Sequence, residues 1–212
     1  MSLPVFILGA GGHARVLLDC LRLSGVQVLG LLDADPAKHG LEILGTRVLG
    51  GEDLLESCDP GTVALVNAVG SVKSMEVRAA VYERFASRGF NFPVVRHPSA
   101  VVAEDAAIGA GVHLLAGSVV ITGSEIGENT IVNTKASVDH DGRIGAHVHL
   151  APGVTLSGGV RVGERTHIGT GASVVQFVTI GSRCLVAAGA VVVADVPDQA
   201  WAMGVPARVV NS

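Results

Sequence analysis

The chain has 212 residues, enough for one large domain or two modest ones, and either could bury a core. Its 28 glycines, with 49% hydrophobic but only 3% aromatic residues, predict thin, regular packing of small and β-branched side chains. A net charge of -4 with no cluster of Lys or Arg argues against nucleic acid and membrane surfaces as partners, and no segment approaches the roughly 20 apolar residues of a membrane span.

The opening MSLPVFILGAGG holds a short apolar run with no basic stretch before it, so it reads as a buried strand and not as a secretion signal. Three separated cysteines, Cys20, Cys58 and Cys184, have no metal or disulfide spacing, which fits a reducing, cytoplasmic setting.

Residues 4–9 form the first predicted strand, and residues 13–24 follow as a helix with apolar spacing at Val16, Leu17, Cys20, Leu21 and Leu23. The turn between them, Gly9-Ala10-Gly11-Gly12-His13-Ala14, fits the G-x-G-x-x-G/A fingerprint, and Asp33 ends a second strand over 26–32. Such glycines let backbone N–H groups at a helix N-terminus approach a pyrophosphate. Alone the motif leaves a nicotinamide dinucleotide, another nucleotide, or a merely structural turn open. A third strand over 63–69 ends at Gly70, and Ser74–Arg88 is a helix with Met75, Val77, Val81, Tyr82 and Phe85 on its inner side. Residues 1–95 therefore read as a small Rossmann-like α/β domain with a parallel sheet.

From about residue 98 a six-residue period takes over, the signature of a parallel β-helix. Counting by sixes from Val102 to Val192 gives sixteen positions, all Val, Ile or Leu. Two residues before each stands a small or β-branched residue. Positions i and i-2 should face one interior, i-1 should face outward, and i+2 and i+3 should turn a corner. The phase is unbroken, so no large loop interrupts the coils. Residues 96–212 form the second expected domain.

This part resembles the hexapeptide-repeat acyltransferases, which implies a left-handed β-helix with three hexads per coil and assembly as a homotrimer. With GAGGHA at one end and Asp139-His140-Asp141 in a coil, the whole chain resembles the sialic-acid O-acetyltransferase-like subfamily, nearest to the nucleotide-sugar N-acetyltransferases of the bacillosamine and perosamine type. The resemblance extends to His97-Pro98-Ser99-Ala100 and to Gly204-Val205-Pro206-Ala207-Arg208. It implies that Gly9, Ala10, Gly11, Gly12, His13, Asp33, Asp35 and Gly70 line a nucleotide-sugar site. One departure stands at Gly70: the family often has Gly-Asn closely followed by Arg, whereas here Gly70-Ser71 precedes Arg78 by a longer interval.

Imposing the six-residue phase separates the histidines of SVDHDGRIGAHVH. His140 and Asp141 fall on a corner, His147 on a different corner, and His149 on a flat face one coil below His167. By position alone His140 could be a solvated turn residue; the resemblance makes it the general base, with Asp141 raising its basicity or orienting it. The family often has Glu where Asp141 stands. The resemblance likewise places His149, Thr170 and Ala188 against acetyl-CoA, while His147 and His167 read as structural or interfacial. A metal site built from His140, His147, His149, Asp139 and Asp141 is disfavoured, because these side chains leave the coil in different directions and ligands must converge.

The resulting expectation is an acetyl-CoA-dependent N-acetyltransferase acting on a nucleotide-linked 4-amino-deoxy sugar for surface glycan synthesis, using direct transfer and no metal. The alternatives are O-acetylation of sialic acid or a related sugar, and a non-catalytic nucleotide-sugar-binding scaffold.

Overall fold

The computed structural model describes residues 3–70 and 74–210. Strand β1 (Val5–Leu8) leads through the glycine turn into helix α1 (Gly12–Leu23), then to β2 (Val28–Leu32). A short antiparallel hairpin, β3 (Glu42–Ile43) and β4 (Thr46–Gly50), precedes β5 (Ala64–Asn67) and helix α2 (Glu76–Ala86). The sheet order is β3-β4-β2-β1-β5, parallel except for the β3–β4 edge.

Helix α1 buries Ala14, Leu17, Leu18, Cys20 and Leu21. Val16 and Leu23, expected inside, are exposed at the margins of that stripe. On α2 the expected inward Val77 is 69% exposed, and its neighbour Arg78 is fully buried. The buried line of that helix runs through Arg78, Ala79, Tyr82 and Phe85: Met75, Tyr82 and Phe85 lie inside as the apolar spacing predicts, while Arg78 takes the place expected of Val77.

The remainder is a three-sided coil. Sixteen two-residue strands run from Val101–Val102 to Val191–Val192, each occupying i-1 and i of one hexad. Strands 18 residues apart pair in parallel, for example Val119 with Ser137 and Ser137 with Thr155. From Leu114 to Val192 every i residue is buried. Inside the prism the i-2 hydroxyls bridge coils: Thr130 Oγ1 donates to Gly145 O at 2.9 Å and accepts from Val148 N–H at 3.0 Å. Every i+3 residue from Gly111 to Gly189 has φ between 54° and 72°. That left-handed corner suits glycine and strains other residues, yet His147, Asp141 and Phe177 hold it too.

The three faces differ. One carries His113, Ile131, His149 and His167 at i-1, begins with Val95–Arg96 and ends in the hairpin Trp201–Gly204/Ala207–Val210. A second presents Val119, Ser137, Thr155 and Ser173, and the third Glu125, Arg143, Arg161 and Thr179. The rule that i-1 points to solvent fails on the first face. There the N-terminal α/β unit lies against the prism, so His113, Ile131, His149 and His167 leave the coil and are nevertheless buried. No helix among the described residues is long and apolar enough to cross a membrane.

Candidate active site

The nucleotide-type turn is built tightly. Gly9 has φ +100°, and a Cβ there would stand 3.2 Å from Ala68 C, so only glycine lets the turn pass so near the end of β5. Gly11 and Gly12, by contrast, are exposed and face open space, leaving the N-terminus of α1 uncapped by any side chain. Gly70 is exposed on the same side of the sheet, at the C-terminal end of β5, and Ser71 lies outside the described residues.

Asp33 is buried and organises this end of the sheet. Its carboxylate accepts from Ala10 N–H at 2.7 Å, Asp35 N–H at 2.9 Å and Lys38 Nζ at 2.9 Å. Burial pushes its pKa up, but these three donors outweigh burial and hold it below the ordinary carboxylate value. Asp35 caps the following short turn through Ala37 N–H at 3.0 Å and is exposed.

His13 enters the interface between the α/β unit and the prism. Its Nε2 lies 3.1 Å from His113 Nδ1, and His149 and His167 meet edge to face at 4.9 Å. Burial, then Arg78 and His149, drive the His13 pKa down to about 3, and burial holds His113 well below the ordinary histidine value, so both rings are neutral near pH 7. Asn133 Nδ2 lies 3.0 Å from His149 Nε2. His113 escaped the sequence reading because an i-1 residue was expected to be solvated.

Arg78 anchors the other half of this interface. Its guanidinium donates to the backbone oxygens of Asn67, Val69 (3.0 Å) and Asn129 (3.2 Å), fastening the loop before Gly70 to a prism corner. Burial without a carboxylate partner lowers its pKa to about 9. At the same corner, Asn129 Nδ2 donates to His147 Nδ1 at 2.9 Å. Glu83 stands 3.4 Å from His147 Nε2, and Tyr82 donates to Glu128 Oε2 at 2.9 Å.

His140 lies elsewhere. It occupies the corner between the second and third faces, the one corner that does not border the face under the α/β unit. Its Nδ1 is 2.8 Å from Asp141 Oδ2. The hydrogen bond to Asp141 raises its pKa, with smaller charge effects from Asp139 and Asp141 acting the same way against weak desolvation. Nε2 lies over Gly158, where a Cβ would fall 2.3 Å from it, and the side chain as a whole is half exposed. Thr170 and Ala188 are exposed and stacked one coil apart on the corner between the first and second faces. His149 is on the adjoining covered face, so Thr170 and Ala188 share an edge that His149 does not. Among the described residues no group of three or more His, Cys, Asp or Glu could hold a metal ion.

Residues 4–85 match the PglD N-terminal domain family, and residues 159–194 match the bacterial transferase hexapeptide family (six repeats). Among curated protein sequences none matches the chain. A mutant of perosamine N-acetyltransferase from Caulobacter crescentus, solved with CoA and GDP-perosamine, is 38% identical, with all of both chains covered and a TM-score of 0.89. The chain belongs to the hexapeptide-repeat acetyltransferases of the sialic-acid O-acetyltransferase-like subfamily. The acetyltransferase domain of PglB from Neisseria gonorrhoeae, solved with acetyl coenzyme A, is 37% identical over 99% of this chain and 100% of that one, with a TM-score of 0.91. WeeI from Acinetobacter baumannii is 25% identical over the same shares, at 0.85. This hexapeptide acetyltransferase therefore has the left-handed β-helix of its family behind an α/β N-terminal unit.

Proposed function

We propose that the protein transfers the acetyl group of acetyl-CoA to the amino group of a nucleotide-linked amino sugar, the reading that its full-length likeness to perosamine N-acetyltransferase and to the PglB acetyltransferase domain supports best. The observation that carries it is the His140–Asp141 pair. Asp141 holds the proton on Nδ1, so Nε2 presents its lone pair over Gly158. Nε2 takes the proton of the sugar amine as nitrogen attacks the thioester carbonyl. The amide C–N bond forms, the C–S bond breaks, and the proton passes from Nε2 to the departing thiolate.

Gly9, Ala10, Gly11, Gly12, His13, Asp33, Asp35 and Gly70 form the nucleotide-sugar site in this reading. Gly11 and Gly12 offer open backbone at a helix N-terminus, and Asp33 acts from beneath by fixing Ala10. Thr170 and Ala188 provide a corner free of bulk along which an extended pantetheine arm can lie, with Gly171 and Gly189 beside them facing open space. His149 reaches the donor from the adjoining face.

Because the His140 corner faces away from the α/β unit of its own chain, the reacting groups meet when the corner of one chain docks beside the nucleotide-sugar site of another. A homotrimer packed through the Val119, Ser137, Thr155 and Ser173 face achieves this. Transfer is direct: Cys184 is buried in the prism with its thiol 3.1 Å from Pro197 O, out of reach of a thioester. The protein acts in the cytoplasm, where acetyl-CoA is available, in surface glycan synthesis.

Offering UDP-, GDP- and dTDP-linked 4-amino sugars beside free sialic acid, with CoA release as readout, tests this reading. Release with at least one nucleotide-linked amino sugar and none with sialic acid is expected. Release with sialic acid alone would overturn it, as would none with any acceptor.

A further inference from the structure

Phe177 is an anomaly in this sequence. It is 75% exposed, so burial does not compensate its placement, and it holds a left-handed corner at φ +62° that costs a bulky residue conformational energy. Apart from Lys135, the other residues at such corners have an evident reason. Seven are glycines, while Asn129 and Asp141 make side-chain hydrogen bonds and Arg165 makes ion pairs. Phe177 has no polar atom beyond its backbone and makes no such bond.

Its position gives the reason. Asp141, Gly159 and Phe177 are successive residues of one corner, 18 apart, just as His140, Gly158 and Gln176 are. The Phe177 ring folds back one coil and lies on Gly159, where a Cβ would stand 2.5 Å from Cδ1 and 2.8 Å from Cε1. The His140 ring lies on the adjacent Gly158, 2.3 Å from the same kind of point. Imidazole and phenyl thus rest on two neighbouring glycines, and Phe177 supplies the large apolar surface of this corner. Along this corner the other turn residues are Glu104, Asp105, Thr122, Gly123, Ala194 and Asp195, none of which offers such a surface.

We propose that Phe177 is a specificity-determining contact for the acyl donor, forming the wall against which the sulfur and the two methylenes beside the thioester lie as the carbonyl is brought to His140. The inference rests on the acetyl-transfer reading. The two reactants differ in what they bring to this corner. A nucleotide-linked sugar presents hydroxyls and a charged diphosphate, whereas the donor's S–CH2–CH2 segment is apolar and adjoins the reacting carbon. Sulfur against an aromatic ring is a favourable contact in its own right. The ring also stands on the C-terminal side of His140 along the prism, the side on which Thr170 and Ala188 lie.

The test compares wild type with Phe177→Gly, Phe177→Ala and Phe177→Leu, using the full chain, acetyl-CoA and whichever amino-sugar nucleotide the wild type accepts. Phe177→Gly should melt higher than wild type, because it relieves the left-handed strain, while its KM for acetyl-CoA rises about tenfold as an apolar contact is lost. The KM for the nucleotide sugar should change by less than about twofold, and Phe177→Leu should recover part of the donor affinity. A donor KM unchanged in all three variants overturns the proposal, as does a rise confined to the nucleotide sugar. Wild type that releases no CoA with any acceptor rejects the acetyl-transfer reading instead, so the two failures are distinguishable.

Discussion

His140 and Asp141 are adjacent in the chain, and their side chains meet at 2.8 Å across a corner where Asp141 takes a left-handed φ of +60°. The corner thus turns a sequence neighbour into a partner that fixes the imidazole tautomer. Replacing His140 with Ala should lower kcat by at least about 10²-fold with the fold intact, as read by steady-state rates beside a melting curve. The pH dependence follows from the sign of the shift. A base must be deprotonated, and the hydrogen bond to Asp141 raises the His140 pKa, so kcat/KM should fall as pH drops through that raised value. Asp141→Asn should move this acid limb to lower pH and reduce the plateau; an unmoved limb would separate Asp141 from the base. Gly158→Ala is a sharper probe, since its φ is not left-handed and the added methyl would occupy the place of Nε2. It should cost about tenfold or more in kcat, the scale of a displaced catalytic base, with little change in melting.

At the scale of elements, the seam between α2 and the prism decides where the nucleotide-type turn sits. Arg78 supplies it with hydrogen bonds to three backbone oxygens, and Arg165 adds ion pairs to Glu76 at 2.6 Å and to Glu83. Arg78→Met should destabilise the protein by about 3 kcal/mol in chemical denaturation, because it takes the guanidinium donor away from three backbone oxygens at the seam. Asp33 adds a pH signature. Its folded pKa lies below the unfolded one, so its contribution is present above the unfolded value and is lost as pH falls through the folded one. The stability advantage of wild type over Asp33→Asn should therefore be full at pH 7 and shrink below about pH 4.

The repeat was legible because a six-residue period leaves the same kind of residue at every i and i-2, and each of the sixteen strands falls where that count puts it. The β3–β4 hairpin was not legible: its arms are short, and Leu44-Gly45 between them interrupts any period. Arg78 was missed because a cation reads as a surface residue, and only the carbonyls converging from two distant segments make its burial tolerable. His13 was found through its motif. Its partner His113 was invisible until the α/β unit was seen to cover that face, and Phe177 stood out in no pattern because the period constrains i and i-2 and leaves the corner residues open.

For the whole molecule, the decisive fact is that the His140 corner and the face under the α/β unit are not adjacent. A lone chain would hold base and nucleotide-type turn on different sides of the prism. Sedimentation should therefore find a trimer. Mixing two inactive variants, His140→Ala and one that disables the turn such as Gly9→Val, should regain activity after dissociation and reassembly, since some sites then combine an intact corner with an intact turn. No recovery would mean that each chain completes its own site. The central claim is N-acetylation by His140, and the product itself reports on it most directly. Wild type, incubated with acetyl-CoA and an accepted amino-sugar nucleotide, should yield a singly acetylated product whose acetyl group survives mild alkali as an amide. The His140→Ala variant should yield almost none. An alkali-labile ester, or undiminished amide formation without His140, would contradict the account.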